Sequence, residues 1–199
     1  MRKTNHRGIV IVIAGPTGSG ETSVSRAITK ILPKTQITLT TTSRPPRPGE
    51  VNHRDYHFVS TAEFKRQIKQ KKFLEYIHIH NRDTYYGTNR YDIANRLNQG
   101  INVIANLEWR GAKVMKRTFP GTLTIFLKPD KISRIKQRLL TRDPLTRAEF
   151  KKRLINAKNE LKEAKFYDRR IINHDGKMAD TVKRIIKIIK HHLSSLDTK

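Results

Sequence analysis

The first apolar segment of the chain and the glycine-rich segment after it constrain the fold more than any other feature. Residues Gly8 to Ala14 read GIVIVIA, a continuous apolar and β-branched run that is typical of a central parallel strand covered on both faces. GPTGSGETS follows from Gly15 to Ser23, and a helical pattern then runs from Ser23 to Leu32. A strand, a glycine-rich turn and a helix in this order are the context of a phosphate-binding P-loop.

The glycine-rich segment carries the groups that hold a phosphate. Successive backbone N–H groups and the N-terminus of the following helix attract an anion, while glycines let the backbone approach it closely. The hydroxyl of Thr22 is placed to bind Mg²⁺, and Ser23 can add a hydrogen bond. A turn without a ligand is the alternative, which the flanking strand and helix disfavour. The residues predicted to bind the phosphates of ATP are Gly15, Gly18, Ser19, Gly20, Glu21, Thr22 and Ser23.

One residue breaks the P-loop pattern. The motif has Lys before Thr22, where its charge reaches the outer phosphates, and this chain has Glu21. Two unit charges about 4 Å apart interact by roughly 4 kcal/mol at an effective dielectric constant near 20, so an uncompensated exchange weakens binding strongly. Three explanations stay open: Glu21 pairs with an Arg that then faces the phosphates, it binds Mg²⁺ itself, or it marks lost catalysis.

The rest of the chain alternates predicted strands and helices. This alternation predicts an α/β fold around a parallel sheet, and the short strands between residues 56 and 88 indicate a small inserted subdomain. The further predicted strands are 36–41, 56–59, 73–80, 101–108, 122–127 and 169–173. The further predicted helices are 62–70, 91–98, a segment closing near 119, basic helices from 130 onward and 179–193.

The composition favours anionic partners. The formal net charge is +25, which suits nucleotides, nucleic acid or an acidic membrane surface. A lysine-rich, solvated surface explains the excess equally well, because the charge is spread along the chain. The lack of Cys excludes disulfides and cysteine metal sites. No segment approaches the length of a membrane span, so we expect a cytoplasmic protein that does not bind membranes.

A proline-stiffened loop points to a second phosphate site. The sequence SRPPRPGEVNHRDYHF runs from residue 43 to 58 and contains Arg44 and Arg47. Two guanidinium groups in such a loop can converge on one phosphate with little entropy to lose. Tyr56 adds a hydroxyl donor.

This loop, followed by FLEY at 73–76 and YYGT at 85–88, resembles the nucleotide-binding region of guanylate kinases. The similarity continues in order from about residue 8 to about residue 190. The resemblance implies transfer of the γ-phosphoryl group of MgATP to GMP, giving ADP and GDP. It implies a P-loop NTPase-type three-layer fold with a central parallel sheet. It also divides the chain into a GMP-binding insert (39–90), a helical lid (132–162) and a core (1–38, 91–131 and 163–199).

The resemblance assigns roles at the acceptor site. The two loop arginines and two tyrosines are expected to hold the phosphate of GMP. Glu75 is expected to accept hydrogen bonds from N1–H and the 2-amino group of guanine, a donor pair that adenine cannot offer. Hydroxyl groups are expected at the guanine ring from Thr40 and Thr88. The GMP-binding residues so implied are Thr40, Arg44, Arg47, Tyr56, Glu75, Tyr86, Thr88 and Glu108.

Two segments complete the implied site. The acids that the family has after the 101–108 strand align with Asn106 and Glu108, and a family Gln aligns with Arg110. Arg110 is either a cation that replaces the P-loop Lys or a surface residue. Asn173 matches an Asn near the nucleotide base. The residues implied in catalysis are the lid arginines Arg138, Arg142 and Arg153, which neutralise the transferring phosphoryl group, and Thr22.

Two other functions remain as alternatives. A chain with Glu21 can be a guanylate kinase-like binding module, either a GMP sensor or a phosphopeptide scaffold, that has lost turnover. The charge of +25 alone also fits a nucleic-acid binder, although the sequence contains no separate recognition motif for one.

Overall fold

The computed structural model describes residues 7–16, 18–142 and 146–197, and for residues 81, 138, 139, 141, 142 and 197 it describes the backbone alone. The described ranges contain nine strands and seven α-helices. The strands are β1 (Val10–Ala14), β2 (Thr35–Ile37), β3 (Thr40–Thr42), β4 (His57–Phe58), β5 (Phe73–Ile79), β6 (Thr84–Asn89), β7 (Asn102–Ala105), β8 (Leu123–Pro129) and β9 (Arg169–Asn173). The helices are α1 (Glu21–Ile31), α2 (Thr61–Lys69), α3 (Arg90–Asn98), α4 (Trp109–Thr118), α5 (Ile132–Arg142), α6 (Arg147–Glu163) and α7 (Met178–Asp197).

The central sheet has five parallel strands in the order β2-β7-β1-β8-β9. Every residue of β1 is buried. Ile11 and Ile13 pack in one cluster with residues of α1 and α7, and Val10 and Val12 pack in a second cluster with residues of α3 and α4. The continuous apolar run thus fills both faces of the sheet, which confirms the predicted α/β fold with a central parallel sheet.

A second sheet is formed within residues 40–89, with strand order β4-β3-β6-β5. One of its faces packs on α2 through Phe64, Phe73 and Tyr85, and the Phe64 and Phe73 rings stack with centroids 4.4 Å apart. Gly87 makes this packing possible, since a Cβ there would lie 2.8 Å from Cδ1 of Phe73.

The predicted single strand at 36–41 is wrong. The chain forms β2 in the central sheet, leaves it after Thr38 N–H bonds to the carbonyl of Ile104, and enters the second sheet as β3. Residues 35–42 read TQITLTTT, and β-branched residues stand on both sides of the break, so periodicity could not locate it. The strand predicted at 56–59 is shorter than expected and pairs in parallel with β3.

The strand predicted at 73–80 is present as β5, but its pairing with β6 is irregular at one place. The pairing of β5 with β6 shifts between Phe73 and Glu75, so Leu74 forms a bulge. In a regular strand, residues two apart share a face. The bulge instead lets Phe73 face the small core while Glu75 faces the opposite side.

Helices α5 and α6 pack on one another through Ile135, Ala157 and Phe150. Arg134, near the start of α5, forms ion pairs with Asp130 at 2.7 Å and with Asp175. Among the described residues, none of the helices is both long and apolar enough to cross a membrane.

Candidate nucleotide-binding site

The P-loop turns at the carboxyl end of β1, where two glycines adopt conformations that other residues avoid. Gly18 has φ 87° and Gly20 has φ 95°. Gly20 is the N-cap of α1 and has no side chain to occupy the N–H groups of the first helical turn. An anion in the cleft can therefore accept hydrogen bonds from them. Helix α1 begins at Glu21, two residues earlier than the predicted start, so Glu21 and Thr22 belong to that turn.

Glu21 is held close to the P-loop. Its Oε1 accepts a hydrogen bond from the hydroxyl of Ser19 at 3.0 Å, and Ser19 is buried. Thr22 and Ser23 are exposed and line the cleft. The carboxylate therefore lies at the place where the motif has its cation, beside the N-terminus that would bind phosphate.

Asn173 supports the P-loop from β9. Its Nδ2 donates to the carbonyl oxygen of Ser19 at 2.8 Å, and the residue is buried. A Cβ at Gly20 would lie 2.8 Å from the same Nδ2. Gly20 is thus needed for the close approach of this amide as well as for its positive φ. The sequence analysis did not predict this supporting contact.

The cleft at the P-loop has a volume of about 830 Å³ and an acidic lining. Among the side chains that the structure describes, no Lys or Arg lines it. Burial raises the pKa of the Tyr167 phenol, and the surrounding carboxylates raise it further. The charge that balances a bound nucleotide must therefore come from a metal ion or from groups outside this lining. The acidic lining residues are Glu21, Glu108, Glu160, Glu163 and Asp175.

Asn106 and Glu108 follow β7 and line the same cleft. The Oδ1 atom of Asn106 accepts a hydrogen bond from the hydroxyl of Ser25 at 2.8 Å. Glu108 is the exposed N-cap of α4. Carboxylate, amide and hydroxyl oxygens are the donors that Mg²⁺ prefers, and it retains water and phosphate ligands as well. Together with Thr22, these side chains fit a magnesium ion bound with a nucleotide.

Three residues predicted to bind guanine lie in one row across the second sheet. Thr40 pairs directly with Thr88, and Thr88 pairs directly with Glu75. Directly paired residues point to the same face of a sheet. Two hydroxyls and one carboxylate therefore share the face opposite the small aromatic core, and the bulge at Leu74 brings the carboxylate into the row.

Tyr86 lies on the same face, beside the proline-rich loop. The guanidinium carbon of Arg44 is 4.8 Å from the centroid of the Tyr56 ring, and the Tyr56 and Tyr86 rings are 6.4 Å apart. The structure therefore brings together three of the four predicted phosphate-binding residues. The side chain of Arg47 is exposed on the same loop.

Glu50 organises this loop, and the sequence analysis assigned it no role. Its two oxygens accept hydrogen bonds from Arg44 at 2.6 and 2.7 Å, and Oε2 also accepts from the backbone N–H of Arg47 at 2.8 Å. The Arg44 hydrogen bond lowers the pKa of Glu50 to about 2, and these contacts with Glu50 raise the pKa of Arg44. The sequence signal that could have revealed this role of Glu50 was its position three residues after Arg47, which itself follows Arg44 by three residues in a stiff loop.

Glu75 lies against the first turn of α4. A Cβ at Gly111 would lie 2.6 Å from Oε2 and 2.8 Å from Oε1 of Glu75. Burial raises the pKa of the Glu75 carboxyl, and the charge of Glu108 raises it further. Gly111 is a second residue that the sequence analysis missed, because only the folded chain brings it to Glu75.

The structure describes only one of the three predicted lid arginines with its side chain. The side chains of Arg138 and Arg142 lie outside the described residues, and Arg153 is half-buried on α6. Arg110 is exposed on α4 and lines a separate groove. It is not among the residues that line the acidic cleft, so in this conformation it does not replace the missing P-loop cation.

Comparisons with known proteins point to one family. The family model for guanylate kinase matches residues 7–192. The chain is 36% identical to a guanylate kinase of Rickettsia prowazekii, over 94% of this chain and 93% of that protein. It is 33% identical to a guanylate kinase of Helicobacter pylori, over 94% of this chain and 91% of that protein. The crystal structure of guanylate kinase from Anaplasma phagocytophilum is similar with a TM-score of 0.72 at 21% identity, over 94% of this chain and 87% of that chain.

Proposed function

Because this chain belongs to the guanylate kinase family, we infer that it is a nucleoside monophosphate kinase that transfers the γ-phosphoryl group of ATP to GMP, giving ADP and GDP. The observation that carries this conclusion is the row of Thr40, Thr88 and Glu75 on the face of the second sheet opposite its small aromatic core. Thr88 is buried in this row, and Thr40 and Glu75 are half-buried. The carboxylate in this row can accept two hydrogen bonds. Each hydroxyl can donate or accept one hydrogen bond. That set complements guanine.

Guanine recognition is assigned to the Glu75 carboxylate. N1–H and the 2-amino group of guanine both donate, and a carboxylate accepts both without a proton of its own. Adenine has an acceptor at N1 and no 2-amino group, so its binding would leave the half-buried carboxylate without partners. A binding site of this type discriminates more strongly than an apolar pocket.

The phosphate of GMP is assigned to Arg44, Arg47, Tyr56 and Tyr86. The Glu50 contacts fix the Arg44 guanidinium before the ligand arrives, which reduces the entropy lost on binding. The exposed side chain of Arg47 belongs to the same loop and can move to contact the bound phosphate.

The donor nucleotide is assigned to the P-loop cleft. Backbone N–H groups from Gly20 to Ser23, at the N-terminus of α1, would hold the phosphates, whereas the N–H of Ser19 already donates to the carbonyl of Pro16. Thr22, with Asn106 and Glu108 nearby, would hold Mg²⁺, which when bound neutralises phosphate charge and orients the phosphate oxygens.

The reaction requires positioning and charge stabilisation from the protein rather than a covalent intermediate. The transferring phosphoryl group carries charge on its equatorial oxygens, and the lid arginines Arg138, Arg142 and Arg153 are proposed to stabilise it as the lid closes. Glu21 opposes that stabilisation. We therefore propose a working enzyme whose donor site depends on the lid and on Mg²⁺ more than a Lys-containing P-loop does.

A coupled assay of ADP release with GMP or AMP as acceptor tests the proposed function. We expect turnover with MgATP and GMP, and at least about 10³-fold lower kcat/KM with AMP. Calorimetry on the same protein should show the same preference in binding. Equal use of the two acceptors would contradict the assignment of Glu75. Preferential GMP binding without any GDP formation would instead support the binding-module alternative, which the comparisons do not favour.

A further inference from the structure

The positive charge of this protein is not concentrated at the P-loop cleft. The net charge is +25, yet among the described side chains the cleft is lined by five carboxylates and by no Lys or Arg. The cations therefore lie on other surfaces. A surface that combines several of them with exposed aromatic rings would bind a different class of ligand from the nucleotide cleft.

The outer side of α4 is such a surface. Gly111, Ala112 and Met115 face the core, and the opposite side of the helix is exposed. A shallow groove of about 660 Å³ runs along it, lined by Trp109, Val114 and four cations. We call these cations the α4 basic face, and they are Arg110, Lys113, Lys116 and Arg117.

An aromatic pair borders the α4 basic face. The Trp109 and Phe166 rings stack with centroids 5.0 Å apart and planes 16° from parallel. Phe166 is 47% exposed, although it is a large apolar side chain. The ammonium of Lys165 lies 5.1 Å from the centroid of the Phe166 ring. An aromatic ring whose one side is supported by Trp109 is a preformed surface on which a planar base can stack.

The basic surface continues from α4 onto the segment before β9. Lys116 contacts Asp168 at 2.5 Å, which places the helix beside the exposed Arg169 and Arg170 at the start of β9. Strand β9 is an edge strand of the central sheet. The cations of this region thus extend over a length of surface rather than around one pocket, as a linear polyanion requires.

We propose that the α4 basic face and Phe166 form a binding site for single-stranded nucleic acid. The cations contact the phosphates, and Phe166 stacks with a base. A duplex hides its bases and cannot use the aromatic pair. An acidic membrane would require a broader apolar face than one supported ring. The proposed contacts use neither the P-loop nor the guanine-binding row, and only Trp109, which supports Phe166, lines both this groove and the P-loop cleft.

Fluorescence anisotropy of a labelled single-stranded oligonucleotide of mixed sequence tests this proposal over a range of salt concentrations. The first variant is Lys113→Glu/Arg117→Glu, a pair four residues apart and exposed on α4. The matched control is Lys183→Glu/Lys187→Glu, a pair with the same spacing and exposure on α7. Helix α7 packs on the opposite side of the central sheet. Both variants change the net charge equally. A difference between their affinities for the oligonucleotide therefore reports the location of the lost cations and not the total charge.

We expect the α4 variant to bind at least about tenfold more weakly than the parent and to lower the salt slope by about 1.4, the value for two lost phosphate contacts on a single strand. The α7 variant should keep most of the affinity and slope. Phe166→Ala should weaken binding about fivefold or more at every salt concentration, because stacking does not depend on counterion release. Trp109 is the only Trp and lines the P-loop cleft as well as this groove, so quenching of its fluorescence by an unlabelled strand should persist when that cleft is saturated with ATP.

Three results would overturn the proposal. One is no binding at physiological salt. Another is equal weakening by the α4 and α7 variants, which would reveal attraction to net charge alone. The last is an unchanged affinity in Phe166→Ala together with equally tight binding of heparin, which would identify a site for any polyanion. GMP phosphorylation by each variant serves as the measure of correct folding, since none of these residues belongs to the proposed kinase site.

Discussion

The acceptor and donor sites of this protein are built on opposite electrostatic plans. On the acceptor side, two charged groups are held in place by the fold: Glu50 forms a bidentate pair with Arg44, and the bulge at Leu74 places Glu75 beside Thr88. On the donor side, Glu21 adds a carboxylate to a cleft that is acidic already. The side chains proposed for the acceptor site thus lie within the described residues, whereas the proposed donor site depends on cations from the lid and from Mg²⁺.

The two halves of the reaction should therefore respond to different changes. A preorganised site loses affinity when one of its own side chains changes. A site that depends on supplied cations responds to the concentration of Mg²⁺ and to any change in its own charge. Substitutions on the two sides should therefore separate cleanly into effects on GMP and effects on MgATP.

The largest effect is expected from Glu75→Gln. The amide offers one acceptor and adds a donor that faces N1–H or the 2-amino group, so one hydrogen bond becomes a repulsion. We expect kcat/KM for GMP to fall about 10³-fold while the KM for MgATP changes little. Steady-state kinetics with each substrate varied in turn measures both. A similar rise in both KM values would mean that the two sites are not separate in the way described.

The second largest effect is expected from Glu21→Lys, which should increase the activity. The change removes a repulsion and restores an attraction at the outer phosphates, so kcat/KM for MgATP should rise about 10²-fold, within the range that a charge exchange of this kind allows. The Mg²⁺ concentration for half-maximal rate should fall as well. Glu21→Gln is the matched control, and it should lie between the parent and the Lys variant. A loss of activity in Glu21→Lys with Glu21→Gln unchanged would show that the carboxylate has a positive role.

Gly111→Ala should produce a smaller effect, confined to GMP. The new Cβ would lie 2.6 Å from Oε2 of Glu75, and the end of a flexible side chain can move away at little cost to stability. We expect kcat/KM for GMP to fall about tenfold with the melting temperature nearly unchanged. In a Glu75→Gln background the same substitution should cost little further, because the group it displaces has already lost its function. Additive losses in the double variant would contradict a role through Glu75.

The sequence predicted the parts of the fold that depend on local pattern. The strand GIVIVIA, the P-loop turn and the final strand RRIIN have strong apolar or glycine signals, and β9 covers the predicted residues. The break between β2 and β3 and the bulge at Leu74 were missed, because each depends on which sheet the chain joins rather than on its own residues.

The candidate site likewise contains residues that the sequence predicted and residues that only the structure revealed. The family resemblance predicted the residues that contact nucleotides directly. The structure brings Thr40, Thr88 and Glu75 together in one row, and it places Arg44 beside Tyr56 and Tyr86. Glu50, Gly111 and the contact of Asn173 with the P-loop act through other residues, so a motif of ligand-binding groups did not reveal them. The position of Arg110 outside the acidic cleft was likewise fixed only by the rotation of α4.

The smallest expected effect links the two sites through pH. Burial and the charge of Glu108 both raise the pKa of Glu75 above its ordinary value. Protonated Glu75 cannot accept both guanine hydrogens, so kcat/KM for GMP should fall as the pH decreases through this raised pKa. Glu108→Gln removes the neighbouring charge and lowers the pKa of Glu75, which should move the acidic limb of the pH profile to lower pH while burial keeps part of the shift. Profiles of kcat/KM for GMP measure the displacement, because this parameter reports groups of the free enzyme. An acidic limb that stays in place, or that moves to higher pH, would show that Glu108 does not act on Glu75 and that the donor and acceptor sites are electrostatically independent.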